Sequence, residues 1–116
     1  MALTKSGVTA CRLLLILALI ATTCFTTADL THTVAEEVND KLAHVLSFFV
    51  LALLADLSFP KRRFDWAVWA PLILYGLAIE IVQDQLPYRT FSLLDLAADA
   101  AGIFAYGLFI PFLGPR

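Results

Sequence analysis

The chain has 116 residues, 60% of them hydrophobic and 16% charged, with a mean hydropathy of +0.83. Water-soluble domains carry about 25% charged and about 45–50% apolar residues, so this excess has to be buried in more than a small core, and a lipid bilayer is the simplest medium for it. The net charge of −2 offers nothing to nucleic acid, two cysteines are too few for a disulfide scaffold, and the length supports one domain, residues 1–116.

Four stretches approach the ~20 apolar residues that a spanning helix needs. The first runs from Val8 to Ala28. Read as a helix, it separates Cys11 from Cys24 by roughly 20 Å, beyond the reach of a disulfide. A rival reading is a secretory or lipoprotein signal, with Lys5 and Arg12 before Leu13 to Ala21 and small residues around Cys24. An uncleaved helix is preferred, because three remaining spans would put the chain ends on opposite sides.

An acidic segment, Asp29 to Asp40, leads into the second span, Lys41 to Phe59, which opens Asp40-Lys41-Leu42-Ala43-His44. The basic trio Lys61-Arg62-Arg63 precedes the third span, Trp66 to Leu86, in which Pro71 predicts a kink and the last turns carry Glu80, Gln83 and Asp84. Pro87-Tyr88-Arg89 leads to the fourth span, Leu93 to Leu113, with Asp95, Asp99 and Gly102. The predicted fold is an all-α, integral membrane four-helix bundle. Lys5, Arg12, Lys61, Arg62, Arg63 and Arg116 fall on one side of it and only Lys41 and Arg89 on the other, which predicts both termini in the cytoplasm. Trp66 and Trp69 suit the inner aromatic belt and Tyr88 the outer one.

Ionisable groups inside a span cost roughly 2.5–3.5 kcal/mol each near its centre, so those present must be paired, solvated or used. Counted from the outer helix ends at ~1.5 Å per residue, His44 lies about 6 Å deep and Glu80 and Asp99 about 9 Å, which puts three helices' polar groups in one layer. Lys41 and His44, Glu80 and Gln83, and Asp95 and Asp99 are spaced i,i+3 or i,i+4, so each pair shares a helix face. Ala98 and Gly102 form a small-xxx-small pair that admits a close neighbour. The mixed charge suits an internal ion-pair network, or a site completed by a cation or a zwitterionic head group. Arg89 offers a bidentate fork to phosphate or carboxylate and Lys41 a point charge.

The order Asp-Lys-x-x-His, Glu-x-x-Gln, Pro-x-Arg, Asp and Gly resembles the VanZ-like family of small bacterial membrane proteins, named for a protein associated with low-level resistance to the glycopeptide teicoplanin. Here the pattern reads Asp40-Lys41-Leu42-Ala43-His44, Glu80-Ile81-Val82-Gln83, Pro87-Tyr88-Arg89, Asp95, Asp99 and Gly102, with Asp99 where the family pattern has Asn. The resemblance covers Asp40 to Gly102 and implies a multi-pass protein of the bacterial cell envelope that affects glycopeptides or envelope lipids. It supplies no reaction.

Lys41, His44, Glu80, Gln83, Arg89, Asp95 and Asp99 are therefore the ligand-binding candidates, for an anionic or zwitterionic envelope lipid or a glycopeptide-related ligand. Asp40, Asp84 and Ser92 are expected to be solvated at the interface, and Asp56 to pair with Lys61 or its neighbours. A metal held by His44, Glu80, Asp95 and Asp99 lacks a paired-His spacing, and no metal is assigned. Ser47 and Ser92 lack the context of a nucleophile, so no catalytic residue is assigned either. Without a phosphate-cradling glycine loop or paired axial ligands, no haem, nucleotide or flavin cofactor is expected. The alternative is an accessory or scaffold subunit of a larger envelope enzyme or transporter, with a membrane protein as partner.

Overall fold

The computed structural model describes residues 3–27, 34–87 and 91–113, with side chains described at all of these except 27 and 34–38. Four helices follow one another: α1 (Lys5–Thr27), α2 (Val34–Ser58), α3 (Trp66–Asp84) and α4 (Leu93–Phe109), the last running into a short 3-10 turn, Ile110–Leu113. No strand occurs among the described residues. All four helices are long and apolar enough to cross a membrane.

Local chemistry accounts for the helix ends. Asp65 caps α3 by accepting from the Ala67 amide at 3.1 Å, and Ser92 caps α4 by accepting from the Asp95 amide at 3.2 Å. These side-chain oxygens satisfy amides that have no partner within the helix. Asp95 also sits in the first turn of α4, where the helix dipole favours an acid. The sequence reading starts the second span at Lys41, but α2 begins seven residues earlier. Val34-Ala35-Glu36-Glu37 is rich in good helix formers, so the helix continues beyond its apolar stretch. Through Pro71, α3 remains one helix.

The helices pack up and down into a bundle 44 Å long and about 24 Å across. α2 touches every other helix and has its widest contact with α4. The core at this junction is built from Phe48, Leu51, Ala52, Val68, Leu72, Ile103 and Tyr106. Gly102 permits it: a Cβ there would collide with the Val45 carbonyl of α2 and reach the Phe49 amide nitrogen at 3.0 Å. A side chain at 102 would therefore force the two backbones apart, which is why α4 carries glycine where the axes come nearest.

Leu13, Ile16, Leu17, Leu46, Leu74, Phe104 and Leu108 point outward, each more than half exposed, and form the apolar sleeve that a bilayer would cover. α1 is the most peripheral helix.

Candidate functional site

The polar layer forms at the end of the bundle where α2 and α4 begin and α3 ends. Asp40, Lys41 and His44 occupy the α4-facing side of α2, and Asp95 and Asp99 answer them one helical turn apart on α4. The Lys41 ammonium bonds Asp95 Oδ1 and stands 3.6 Å from Asp40 Oδ2. The His44 ring, 1% exposed, donates from Nδ1 to Asp99 Oδ1 at 2.6 Å, and its Nε2 faces Asp40 Oδ2 at 3.9 Å and Asp95 Oδ2 at 3.8 Å. Four of the seven candidates, Lys41, His44, Asp95 and Asp99, thus meet directly.

Glu80 of α3 is fully buried and lies within electrostatic reach of His44, Asp95 and Asp99. One of its oxygens accepts the Ser92 amide at 3.0 Å, and so ties the end of α3 to the start of α4. Gly76, one turn earlier on α3, lets Asp99 lie close: a Cβ there would come within 2.7 Å of Asp99 Oδ2.

Gln83 is fully buried but turns away from α4, and its amide nitrogen bonds the Thr26 carbonyl of α1. The spacing with Glu80 had placed it toward α2 and α4; the structure uses it to dock α1. Arg89 lies outside the described residues.

One position departs from the sequence reading. Asp40 was expected to be solvated, yet its side chain is only 12% exposed and it borders His44. Asp56, expected to pair with Lys61 or its neighbours, is buried at the opposite end of the bundle and accepts the Tyr106 hydroxyl. Asp84 is exposed and receives the Phe91 amide at 3.2 Å. α1 contributes more than hydrophobicity predicted, because its Leu19 carbonyl also accepts the Tyr75 hydroxyl at 2.9 Å. A backbone acceptor has no side-chain signature, so only the polar donors, buried Gln83 and half-buried Tyr75, could have signalled these ties. Cys11 and Cys24 are free thiols.

Several buried atoms of this layer have no hydrogen-bond partner among the described residues: His44 Nε2, Glu80 Oε1, Gln83 Oε1 and Asp99 Oδ2. Leaving such a group unsatisfied costs about 1–3 kcal/mol, more for a charge, so water, a bound molecule or a side chain outside the described residues has to satisfy them.

A polar layer of this composition, built on four apolar helices, can be compared with known families. Residues 11–114 match the family described as VanZ/LLP1. The chain belongs to the VanZ/LLP1 family. This VanZ/LLP1 protein is also similar to "Uncharacterized protein C11E3.10" of the fission yeast Schizosaccharomyces pombe, with 38% identity over 69 residues, which is 56% of this chain and 42% of that protein. The chain thus spans less than half the length of that relative, and the resemblance extends beyond bacteria. No solved structure matches it.

Proposed function

We propose that this chain is a multi-pass protein of a bacterial cytoplasmic membrane, with both termini in the cytoplasm, whose outward-facing polar layer binds the head group of an amphiphile. That head group carries an amine and belongs to a zwitterionic envelope lipid or a glycopeptide-related molecule, which links the protein to teicoplanin susceptibility. The supporting observation is the surplus of buried acceptors: Glu80 Oε1, Gln83 Oε1 and Asp99 Oδ2 find no donor among the described residues. An ammonium brings three donors and a positive charge, which this surplus demands. Lys41 and Arg89 are the candidates for the anionic half of such a head group.

The test is retention of lipid by the purified protein. Native mass spectrometry with phosphatidylethanolamine and phosphatidylglycerol should show preferential retention of phosphatidylethanolamine, lost in Glu80→Gln. Equal retention of the two lipids by the wild type would reject the amine reading. In cells, Glu80→Gln at an unchanged membrane level should abolish any shift in teicoplanin sensitivity that the wild type confers.

A further inference from the structure

We infer that Asp40, His44 and Asp95 form a binding site for a divalent transition-metal ion of the zinc class, with Asp99 as the residue that orients the histidine. This goes beyond the head-group reading and uses different atoms.

The first argument concerns His44 itself. Its Nδ1 is hydrogen-bonded to Asp99 Oδ1 at 2.6 Å, which fixes the ring; with an ionised Asp99 as the acceptor the proton sits on Nδ1. In a neutral ring whose proton is on Nδ1, Nε2 presents a lone pair. Here that lone pair is buried, has no hydrogen-bond partner among the described residues and is aimed between two carboxylate oxygens at 3.8 and 3.9 Å. Three electron-rich atoms converging in a low dielectric favour a cation between them, and the Lys41 ammonium, bonded to Asp95 Oδ1 and 3.6 Å from Asp40 Oδ2, stands beside the two carboxylates.

Charge and ligand geometry specify the cation between these atoms. Around His44 the described carboxylates are Asp40, Asp95 and Asp99, with Glu80 within electrostatic reach, against one described ammonium, Lys41. Lys41 occupies Asp95 Oδ1, and the other oxygen of Asp95 faces His44. The donor atoms of Asp40, His44 and Asp95 all lie within 4.8 Å of one another. With metal–ligand bonds of ~2.0–2.1 Å, tetrahedral ligands stand ~3.4 Å apart, so on binding the His44 nitrogen closes on each carboxylate by about half an ångström, and the two carboxylates, within 4.8 Å, draw together by up to about 1.4 Å.

The set has the organisation of a metal centre. Asp40 and His44 are one turn apart on α2 and chelate from one face, α4 supplies the third ligand, and a carboxylate holds the second ring nitrogen, as in carboxylate–histidine–metal arrangements. One imidazole and two carboxylates favour zinc or manganese over soft ions, and the nitrogen disfavours calcium and magnesium. Three protein ligands leave a coordination position for water or for an oxygen of a second molecule.

The experiment uses the tag-free full chain in detergent, stripped with chelator and titrated with ZnCl2 by calorimetry and with CoCl2 by visible absorption. One ion per chain is expected, with the cobalt bands of a site containing nitrogen and a rise in melting temperature. Asp40→Asn, at a position with some exposure, and His44→Gln should weaken binding at least about 10-fold, and Asp99→Asn about 10- to 100-fold, as for other orienting residues. Asp84→Asn should leave it unchanged. Helicity by circular dichroism verifies that each variant is folded. The absence of stoichiometric binding in the wild type overturns the inference, and so does binding that folded Asp40→Asn and His44→Gln variants retain in full. If His44 instead carries a second proton as the positive centre, the wild type binds no metal, which is the first of these outcomes. Phosphatidylethanolamine retention by the stripped protein is read separately, so each reading can fail alone.

Discussion

His44 Nδ1 donates to Asp99 Oδ1 at 2.6 Å across the α2–α4 junction, and both side chains are almost completely buried. The other Asp99 oxygen lies against Gly76 of α3. One carboxylate therefore stands where three helices converge, and its replacement separates charge from hydrogen bonding. Asp99→Asn keeps an acceptor for the imidazole and matches the residue of the family pattern, so the folded chain should be retained. Asp99→Leu removes the acceptor and strands the ring, at a cost of about 1–3 kcal/mol. Thermal unfolding in detergent should rank wild type and Asp99→Asn together, with Asp99→Leu clearly below.

Gly102 and Gly107 lie on the same helix and predict opposite responses to a methyl group. At Gly102 the added carbon meets the backbone of α2, and overpacking of this kind costs about 1–3 kcal/mol. At Gly107 nothing lies within 4 Å, so Gly107→Ala gains helix propensity of roughly 0.5–1 kcal/mol. Melting temperatures should move down for Gly102→Ala and up for Gly107→Ala.

Asp56 and Tyr106 form a second buried polar pair, about 18 Å along α2 from His44 at ~1.5 Å per residue. Tyr106→Phe removes a donor from a buried carboxylate and should cost about 1–3 kcal/mol. Combined with Asp56→Leu, the loss should be smaller than the sum of the single losses, because the acceptor that suffers is gone. A double-mutant cycle by chemical denaturation measures the coupling.

The orientation proposed for the bundle can be read with thiol reagents in a Cys11→Ser, Cys24→Ser background. A membrane-impermeant maleimide should label Asp84→Cys in intact cells, and Lys61→Cys only after permeabilisation. The reverse pattern would invert the bundle and turn the polar layer toward the cytoplasm.

Much of this architecture is legible in the sequence because helix periodicity is a local property. The i,i+3 and i,i+4 spacings of Lys41, His44, Asp95 and Asp99 place these residues on the faces that α2 and α4 turn toward each other, and the Ala98–Gly102 pair marks where the backbones come close. Rotation of α3 between two neighbours has no such signal. Glu80 and Gln83 share a face by spacing, yet one reaches Ser92 and the other α1. Asp40 was misjudged because depth along a helix does not reveal how far a neighbouring helix overhangs it. The bond from Tyr106 to Asp56 joins residues 50 apart in the chain, which no local spacing pairs.

The attachment of α1 has a consequence for how the chain tolerates change. Two of its ties, from Tyr75 to the Leu19 carbonyl and from Gln83 to the Thr26 carbonyl, end on backbone oxygens, which every residue type supplies. At Leu19 and Thr26, then, these two bonds ask only that a helix be present and leave the side chain to meet its surroundings. Tyr75 and Gln83, by contrast, cannot be exchanged without losing the bond. Thr23, whose hydroxyl lies 2.6 Å from that of Tyr75, is the α1 position at which the contact also reads a side chain, so the first helix can diverge more freely at Leu19 and Thr26 than at Thr23.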